Sequence, residues 1–331
     1  MFNKIYVFIK ENRKEILFFL FLIVVFNIRF PYFIDSPGGT LSLKKRFQIE
    51  NSNSINGDIS LVYVAERPAT IPTLVFSLFM KDWDIIKKEE VVASNESDYD
   101  ANERGRISLN QSINNAIVYA FKKANQKIEI LESKIYVTYI LSDAQTDLKI
   151  GDQILSVDDK NINSKNDIAE IINLYQANDK IKIKILRNNK EIERYAYIKN
   201  YDGNLKIGII TETIYDYKTD LKINYDKNSS ELGSSGGFIN TLYFYASLVS
   251  EDIIKGRNIV GTGTIDENGN IGAIGGLKYK MISATKYNAD IFFVPSDNCE
   301  EAKSIKKEKK LNLKIACVAN FDEALKYLSS N

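Results

Sequence analysis

Histidine does not occur anywhere in this chain. Its absence removes Ser-His-Asp and Cys-His catalysis, HExxH zinc sites and any imidazole proton switch near neutral pH. Cysteine is nearly absent too: Cys299 and Cys317 are too few for a four-thiolate zinc site or a disulfide-dense scaffold. Neither sign of charge dominates, since 44 Lys plus Arg against 43 Asp plus Glu leave a formal +1. A nucleic-acid binder would carry a basic excess or stripe, so none is expected as a partner. No GxxxxGK[ST] phosphate loop occurs in the 331 residues, and Gly272-Ala273-Ile274-Gly275-Gly276-Leu277-Lys278 lacks its spacing. Neither ATP, nor a metal, nor another cofactor is expected. An enzyme made of these residues must take its base from a lysine, a carboxylate or a terminal amine.

Long apolar runs are equally scarce. The exception is Ile16–Phe26, ILFFLFLIVVF, extended less strictly by Ile28, Phe30, Tyr32, Phe33 and Ile34. Eleven residues fall short of the roughly 17–25 that a full span needs, and signal peptides have apolar regions of about this length. No small-x-small cleavage site follows, however, and Lys4, Lys10, Arg13 and Lys14 precede the run. The expectation is an uncleaved single-pass signal anchor within residues 1–34, with its N-terminus cytoplasmic and the rest of the chain outside the cell membrane. A disulfide is permitted there. Yet Ile315-Ala316-Cys317-Val318 reads as a buried strand, which favours a free cysteine acting as a small apolar residue.

Strand-like alternation marks Ile59–Val64, a polar acidic loop runs from Ser94 to Glu103, and Leu109–Ala124 has helical spacing. The next block has a strand at Ile135–Leu141 and a turn and strand in Leu148-Lys149-Ile150-Gly151-Asp152-Gln153-Ile154-Leu155-Ser156-Val157-Asp158. A helix at Asn166–Leu174 and an alternating strand at Ile181–Ile185 follow. From Leu205 the pattern is α/β. Strands are expected at Ile207–Ile210, Leu221–Asn224, Ile259–Ile265, Ile271–Ile274, Ile291–Val294 and Leu313–Val318. Helices are expected at Phe238–Val249, Leu277–Asn288, Cys299–Lys306 and Asp322–Leu328.

Two segments carry chemistry. Glu231-Leu232-Gly233-Ser234-Ser235-Gly236-Gly237 runs directly into an apolar helix. A serine there meets unpaired backbone N–H groups and the positive end of the helix dipole, which can stabilise an oxyanion. Taken alone, the same pattern describes an ordinary helix cap. The second segment is Gly275-Gly276-Leu277-Lys278-Tyr279-Lys280. Helical spacing puts Lys280 on one arc with Leu277, Met281, Ala284 and Tyr287. Desolvation would lower its pKa and leave a neutral amine able to deprotonate a serine hydroxyl. Alone, it reads as a lysine snorkelling from a core edge.

Together, these segments, with Gly261-Thr262-Gly263-Thr264-Ile265 between them, resemble the Lon-type Ser/Lys serine peptidases. The resemblance is to the membrane-anchored PDZ–Lon family of Gram-positive bacteria, the SepM/YlbL-like proteins. It extends over Pro37-Gly38, Gln111-Ser112-Ile113-Asn114-Asn115-Ala116, Lys255-Gly256, Phe292-Phe293-Val294-Pro295 and Glu323-Ala324-Leu325. It implies Ser235 as nucleophile and Lys280 as general base, with Thr262 supporting the lysine and Gly236 and Gly237 supporting the serine. The Leu148–Asp158 pattern resembles a PDZ domain. That implies a peptide strand added beside Ile135, Tyr136 and Val137, with Ile168 and Ile172 of the following helix lining the groove.

The expected architecture is thus an α/β (α+β) Lon-type peptidase domain with an inserted β-rich PDZ domain and an N-terminal transmembrane helix. The stub and anchor occupy 1–34, the first part of the peptidase 35–130, the PDZ-like domain 131–200 and the catalytic part 201–331. The expected function is ATP-independent cleavage of exported peptides or proteins. The alternative is a tethered peptide-binding scaffold that no longer cleaves.

Overall fold

A computed structural model describes residues 2–93, 96–226 and 231–330. They form two compact units, Met1–Gly38 with Val64–Val91, and Gly39–Tyr63 with Val92–Asn331.

In the first unit, helices α1 (Phe2–Glu11) and α2 (Arg13–Asn27) lead into β1 (Arg29–Ser42). The apolar run is α2. Lys10, Glu11, Arg13, Lys14 and Glu15 bound it on one side, and on the other Ile28 becomes extended ahead of Pro31. Its 15 residues rise about 22 Å, against about 30 Å of hydrocarbon in a bilayer. Among the described residues no helix is long and apolar enough to cross a membrane, so the spanning helix expected within 1–34 is not formed as one. Strand β2 (Asp58–Thr70) ends where Thr70 and Thr73 make a capping box, with Pro72 in the first turn of α3 (Ile71–Ser77). Strand β3 (Asp84–Lys87) then pairs antiparallel with β1, from Tyr32 opposite Lys87 to Asp35 opposite Asp84.

After residues 39–63, the second unit continues in α4 (Asp98–Lys123), whose N-terminus is fixed by a Ser97–Asp100 capping box. The helix therefore starts inside the loop expected from Ser94 to Glu103; Ser94 and Asn95 lie outside the described residues. Next come β4 (Ile128–Ile140), β5 (Gln153–Val157), α5 (Lys165–Ile172), β6 (Lys180–Arg187), β7 (Lys190–Tyr197) and β8 (Ile209–Thr219). Their sheet order is β8-β4-β5-β6-β7. Isoleucines dominate its core: Ile135, Ile154, Ile168, Ile172, Ile181, Ile183 and Ile185 pack together. Two of the turns here use Asn and Asp in place of glycine. Asn188 and Asn189 take positive φ in the β6–β7 hairpin, and Asp158 and Asp159 do so after β5. Both residue types tolerate the left-handed region that a tight hairpin requires. Strands β4 and β8 pair along their whole lengths, from Ile140 opposite Ile209 to Ile128 opposite Thr219. Their far ends leave this core, and Ile128 and Tyr217 pack on a second one.

That second core surrounds a parallel sheet. It is built from α6 (Gly237–Leu248), β9 (Asn258–Gly261), β10 (Thr264–Ile265), β11 (Ile271–Gly272), α7 (Leu277–Lys286), β12 (Ile291–Pro295), α8 (Cys299–Lys309), β13 (Ile315–Val318) and α9 (Phe321–Ser330). Strands β13, β12 and β9 lie parallel in that order, and β9 pairs with Asp58–Leu61 of β2. Alternation splits each strand between two faces. Leu61, Ile259 and Phe293 pack with α4, α6 and α9. Val62, Val260, Phe292 and Val294 pack with Leu277 and Met281 of α7 and Ala302 of α8. A strand buried on both faces reads as continuously apolar, as Ile291–Pro295 does.

Cys317 is exposed and bonded to Cys299, not a free buried cysteine. In β13 its neighbours Ala316 and Val318 point into the core, and period two turns Cys317 outward. The bridge ties the start of α8 to the strand 18 residues on. Closing a loop of that length contributes about 3 kcal/mol. Reduction, or Cys299→Ala with Cys317→Ala, should lower stability by about that much in urea unfolding.

Candidate active site

The serine loop is stapled from two sides. The Gly233 N–H donates to Gly105 O of α4 at 2.9 Å, and the Ser112 hydroxyl donates to Ser234 O at 3.0 Å. From the other side, the Gly263 N–H reaches Ser235 O at 2.7 Å and the Thr262 hydroxyl reaches the same oxygen at 3.1 Å. The Phe238 N–H returns a bond to Gly263 O at 3.0 Å. Glu231, at the start of the loop, pairs with Arg46 at 2.7 Å; burial raises its carboxyl above the ordinary range, against the pull of Arg46. Gly237 has to be glycine, because a Cβ there would sit 2.8 Å from the Ser112 hydroxyl and 3.1 Å from Ile265 N. The strand expected as one run over Ile259–Ile265 breaks at Thr262-Gly263, and that break makes the contacts to Ser235.

Lys280 lies on α7, which starts at Gly276 in the left-handed conformation. Leu277, Met281 and Ala284 are buried on the same arc, and Tyr279, Ile282 and Ser283 are buried as well. The lysine is only 4% exposed. Burial alone pushes its amine down from 10.5 to about 8.

Helices α6 and α7 pack on opposite faces of the parallel sheet. Ser235 precedes the first helix and Lys280 lies in the first turns of the second. The structure joins Ser235 to Thr262 and Gly263; among the described residues no hydrogen bond links Ser235 to Lys280. Thr262 gives its hydroxyl proton to Ser235 O and its N–H to Phe293 O, so it braces the serine loop where the resemblance implied support for the lysine. The expectation that N–H groups at the start of the helix hold an oxyanion also needs correcting. The Gly237 N–H is bonded to Ser234 O and the Phe238 N–H to Gly263 O. The N–H groups of Ser235 and Gly236, just before them, have no partner among the described residues.

Asn240 escaped the sequence reading. It is 1% exposed, its amide has no partner among the described residues, and a Cβ on Gly236 would stand 3.6 Å from its Nδ2. Its signal was present: a polar amide in the first turn of an apolar helix.

The groove residues lie elsewhere than expected. Adding a peptide strand needs a free edge. Beside Ile135, Tyr136 and Val137 one edge is filled by Thr213, Glu212 and Thr211 of β8. The other is filled by Ile154 and Gln153 of β5, with the Val137 N–H on Asp152 O. Ile135, Val137, Ile168 and Ile172 are core residues. Strand β8 is one of the two edge strands of this sheet. Asn114 of α4 grips it at Tyr215, accepting from the N–H at 2.9 Å and donating to the C=O at 2.7 Å. A cleft of about 690 Å³ runs past that point, lined among others by Gln111, Asn115, Ser164, Thr213, Ser234 and Gly272.

The buried lysine and the braced serine belong to an α/β part built on a parallel sheet, accompanied by a β-rich part with its own core. Residues 227–330 match the Lon protease (S16) C-terminal proteolytic domain, and residues 116–194 match the PDZ domain. The Lon protease of Campylobacter jejuni is 32% identical over 148 residues, 42% of this chain and 18% of that protein. That of Rickettsia typhi is 37% identical over 71 residues, 22% of this chain and 9% of that protein. The chain thus spans under a fifth of the length of these curated relatives. The PDZ domain of an SdrC-like protein from Listeria monocytogenes is 20% identical with a TM-score of 0.23, covering 25% of this chain and 92% of that one. Residues 227–330 are thus similar to a Lon-type proteolytic domain, and residues 116–194 to a PDZ domain.

The buried amine makes a stability prediction. Between about pH 8 and 10.5 the unfolded chain holds a proton on Lys280 that the folded chain has lost, so stability should rise with pH across that window. The full effect is about 3 kcal/mol. Lys280→Met should be more stable than the parent at pH 7 by about that amount and should flatten the rise, read by denaturant titrations from pH 7 to 10.5.

Proposed function

We propose that this protein is a membrane-tethered, ATP-independent serine endopeptidase that cleaves exported peptides or proteins with a Ser235/Lys280 dyad. The observation that carries this reading is Lys280, buried to 4% exposure with its amine held near 8 by desolvation alone, in a domain of Lon type. A buried ammonium is costly to keep, and a neutral amine close to ambient pH is what a general base requires.

In the proposed cycle, the Lys280 amine takes the Ser235 hydroxyl proton as the oxygen attacks the peptide carbonyl. The N–H groups of Ser235 and Gly236 receive the oxyanion. Lys280 then returns the proton to the leaving amine. Water, deprotonated by the same amine, releases the acyl group and regenerates Ser235. The substrate lies extended in the 690 Å³ cleft, its backbone pairing with the open edge of β8 at Thr213. Reading 131–200 as a domain inserted into a peptidase formed by 35–130 and 201–331 is supported by the two cores. One draws on Leu43–Phe121 and Phe238–Leu328, and the other lies wholly within Ile135–Ile207.

Tethering is supported by α2, none of whose residues is buried although nearly all are apolar. A helix apolar on every side belongs in a core or in lipid. The Cys299–Cys317 bridge suits an oxidising compartment outside the cytoplasm.

Peptidase activity should rise as pH passes about 8, the Lys280 value, and should vanish in Lys280→Met and Ser235→Ala, while Ser234→Ala stays active. A serine-reactive acylating probe should label the parent and not Ser235→Ala. Labelling lost only in Ser234→Ala would move the nucleophile one residue. No labelling, with peptide binding retained, would leave a scaffold.

A further inference from the structure

The first unit has a second apolar surface besides α2. Helix α3 has no buried residue. In and after it, Val75, Phe76, Leu78, Phe79 and Met80 are exposed, Leu78 by 77% and Phe79 by 80%. Five large apolar side chains exposed within six residues exceed the scattered surface apolar residues of an ordinary soluble domain.

The tip is nevertheless ordered. The Leu78 N–H donates to Val75 O, the Phe79 and Met80 N–H groups to Phe76 O, and the Trp83 N–H to Met80 O. A segment that enters hydrocarbon must satisfy its backbone internally in this way. Behind the tip, Arg67 lies over the Trp83 ring with its guanidinium carbon 5.8 Å from the centroid, and Lys81 is exposed. Tryptophan with basic side chains is the composition of the headgroup layer. Helix α3 also packs against α2. Because α2 is apolar around its circumference and exposed except at half-buried Ile16, Leu22 and Val25, a protein partner with one complementary face would not cover it; a lipid phase would.

We propose that the Val75–Met80 tip is a second membrane contact, dipping beside α2 into the acyl boundary of a bilayer with Trp83, Arg67 and Lys81 at the headgroups. The inference rests on the tethering reading of α2 and adds to it a fixed second point. Two contacts would hold the first unit in one orientation at the bilayer, where a single helix would leave it free to rotate.

Trp83 is the only tryptophan in the chain, so its fluorescence reports on the tip alone. Full-length protein is reconstituted into phosphatidylcholine/phosphatidylglycerol vesicles with and without bromine-labelled acyl chains, and vesicle flotation is scored in parallel. The expected result is flotation, a blue shift of Trp83 emission and quenching by the brominated chains. Leu78→Ser with Phe79→Ser, both at exposed positions, should still float through α2 and lose the shift and the quenching. Flotation of the parent with unshifted, unquenched Trp83 would overturn the second contact and leave the tether standing. Failure to float would overturn the tether and this contact with it. A blue shift that depends on protein concentration and not on lipid would assign the tip to a second copy of the chain, also overturning the proposal.

Discussion

The carbonyl oxygen of Ser235 is the point on which the catalytic half depends. It accepts from the Gly263 N–H and from the Thr262 hydroxyl. Those two residues are where β9 stops, so the end of a buried parallel strand fixes the residue that precedes α6. The Phe238–Gly263 bond closes the exchange, and Ser112 and Gly105 hold the loop from α4. These bonds tie a glycine- and serine-rich loop to the sheet on one side and to α4 on the other. Among the described residues the Ser235 and Gly236 N–H groups are left unpaired next to Ser234 of the cleft wall, and preorganised donors of this kind need no reorganisation when charge develops.

A second constraint is the β4–β8 ribbon. It pairs the chain entering the β-rich domain with the chain leaving it, and its two ends belong to different cores. Asn114 ties β8 back to α4, the helix that also holds the serine loop. The edge open to an extended peptide and the loop bearing Ser235 are thus referred to one helix. On the proposed mechanism, relative motion between binding and cleavage positions is limited by α4 and not by a linker.

Much of the catalytic core was legible in the sequence, because parallel strands buried on both faces and the helices that cover them leave strong patterns. Ile291–Val294, Phe238–Val249 and the arc around Lys280 are examples. The break inside Ile259–Ile265 was not, since Thr262 and Gly263 sit in an apolar run and only the partner loop interrupts the ladder. The same reason hid β8: Thr211–Tyr217 alternates weakly, and its pairing with β4 is a long-range choice that local pattern does not encode. Missing β8 put the peptide beside Ile135–Val137, an edge the chain fills itself. Cys317 was misread by treating Ile315–Val318 as a uniformly buried run, although period two already turned it outward. For Ser235 and Lys280 the sequence conveyed residue type and setting, and the structure supplied bracing and burial.

The burial of Lys280 has a consequence for how such a protein would respond to acid. On the proposed mechanism, the proton that switches off the base is the same proton that charges a site closed to water. Activity and stability are therefore read from one titration and fall together. A molecule moved from above about pH 8 to below it would be both idle and easier to unfold, and return above that value would restore both without any further regulator.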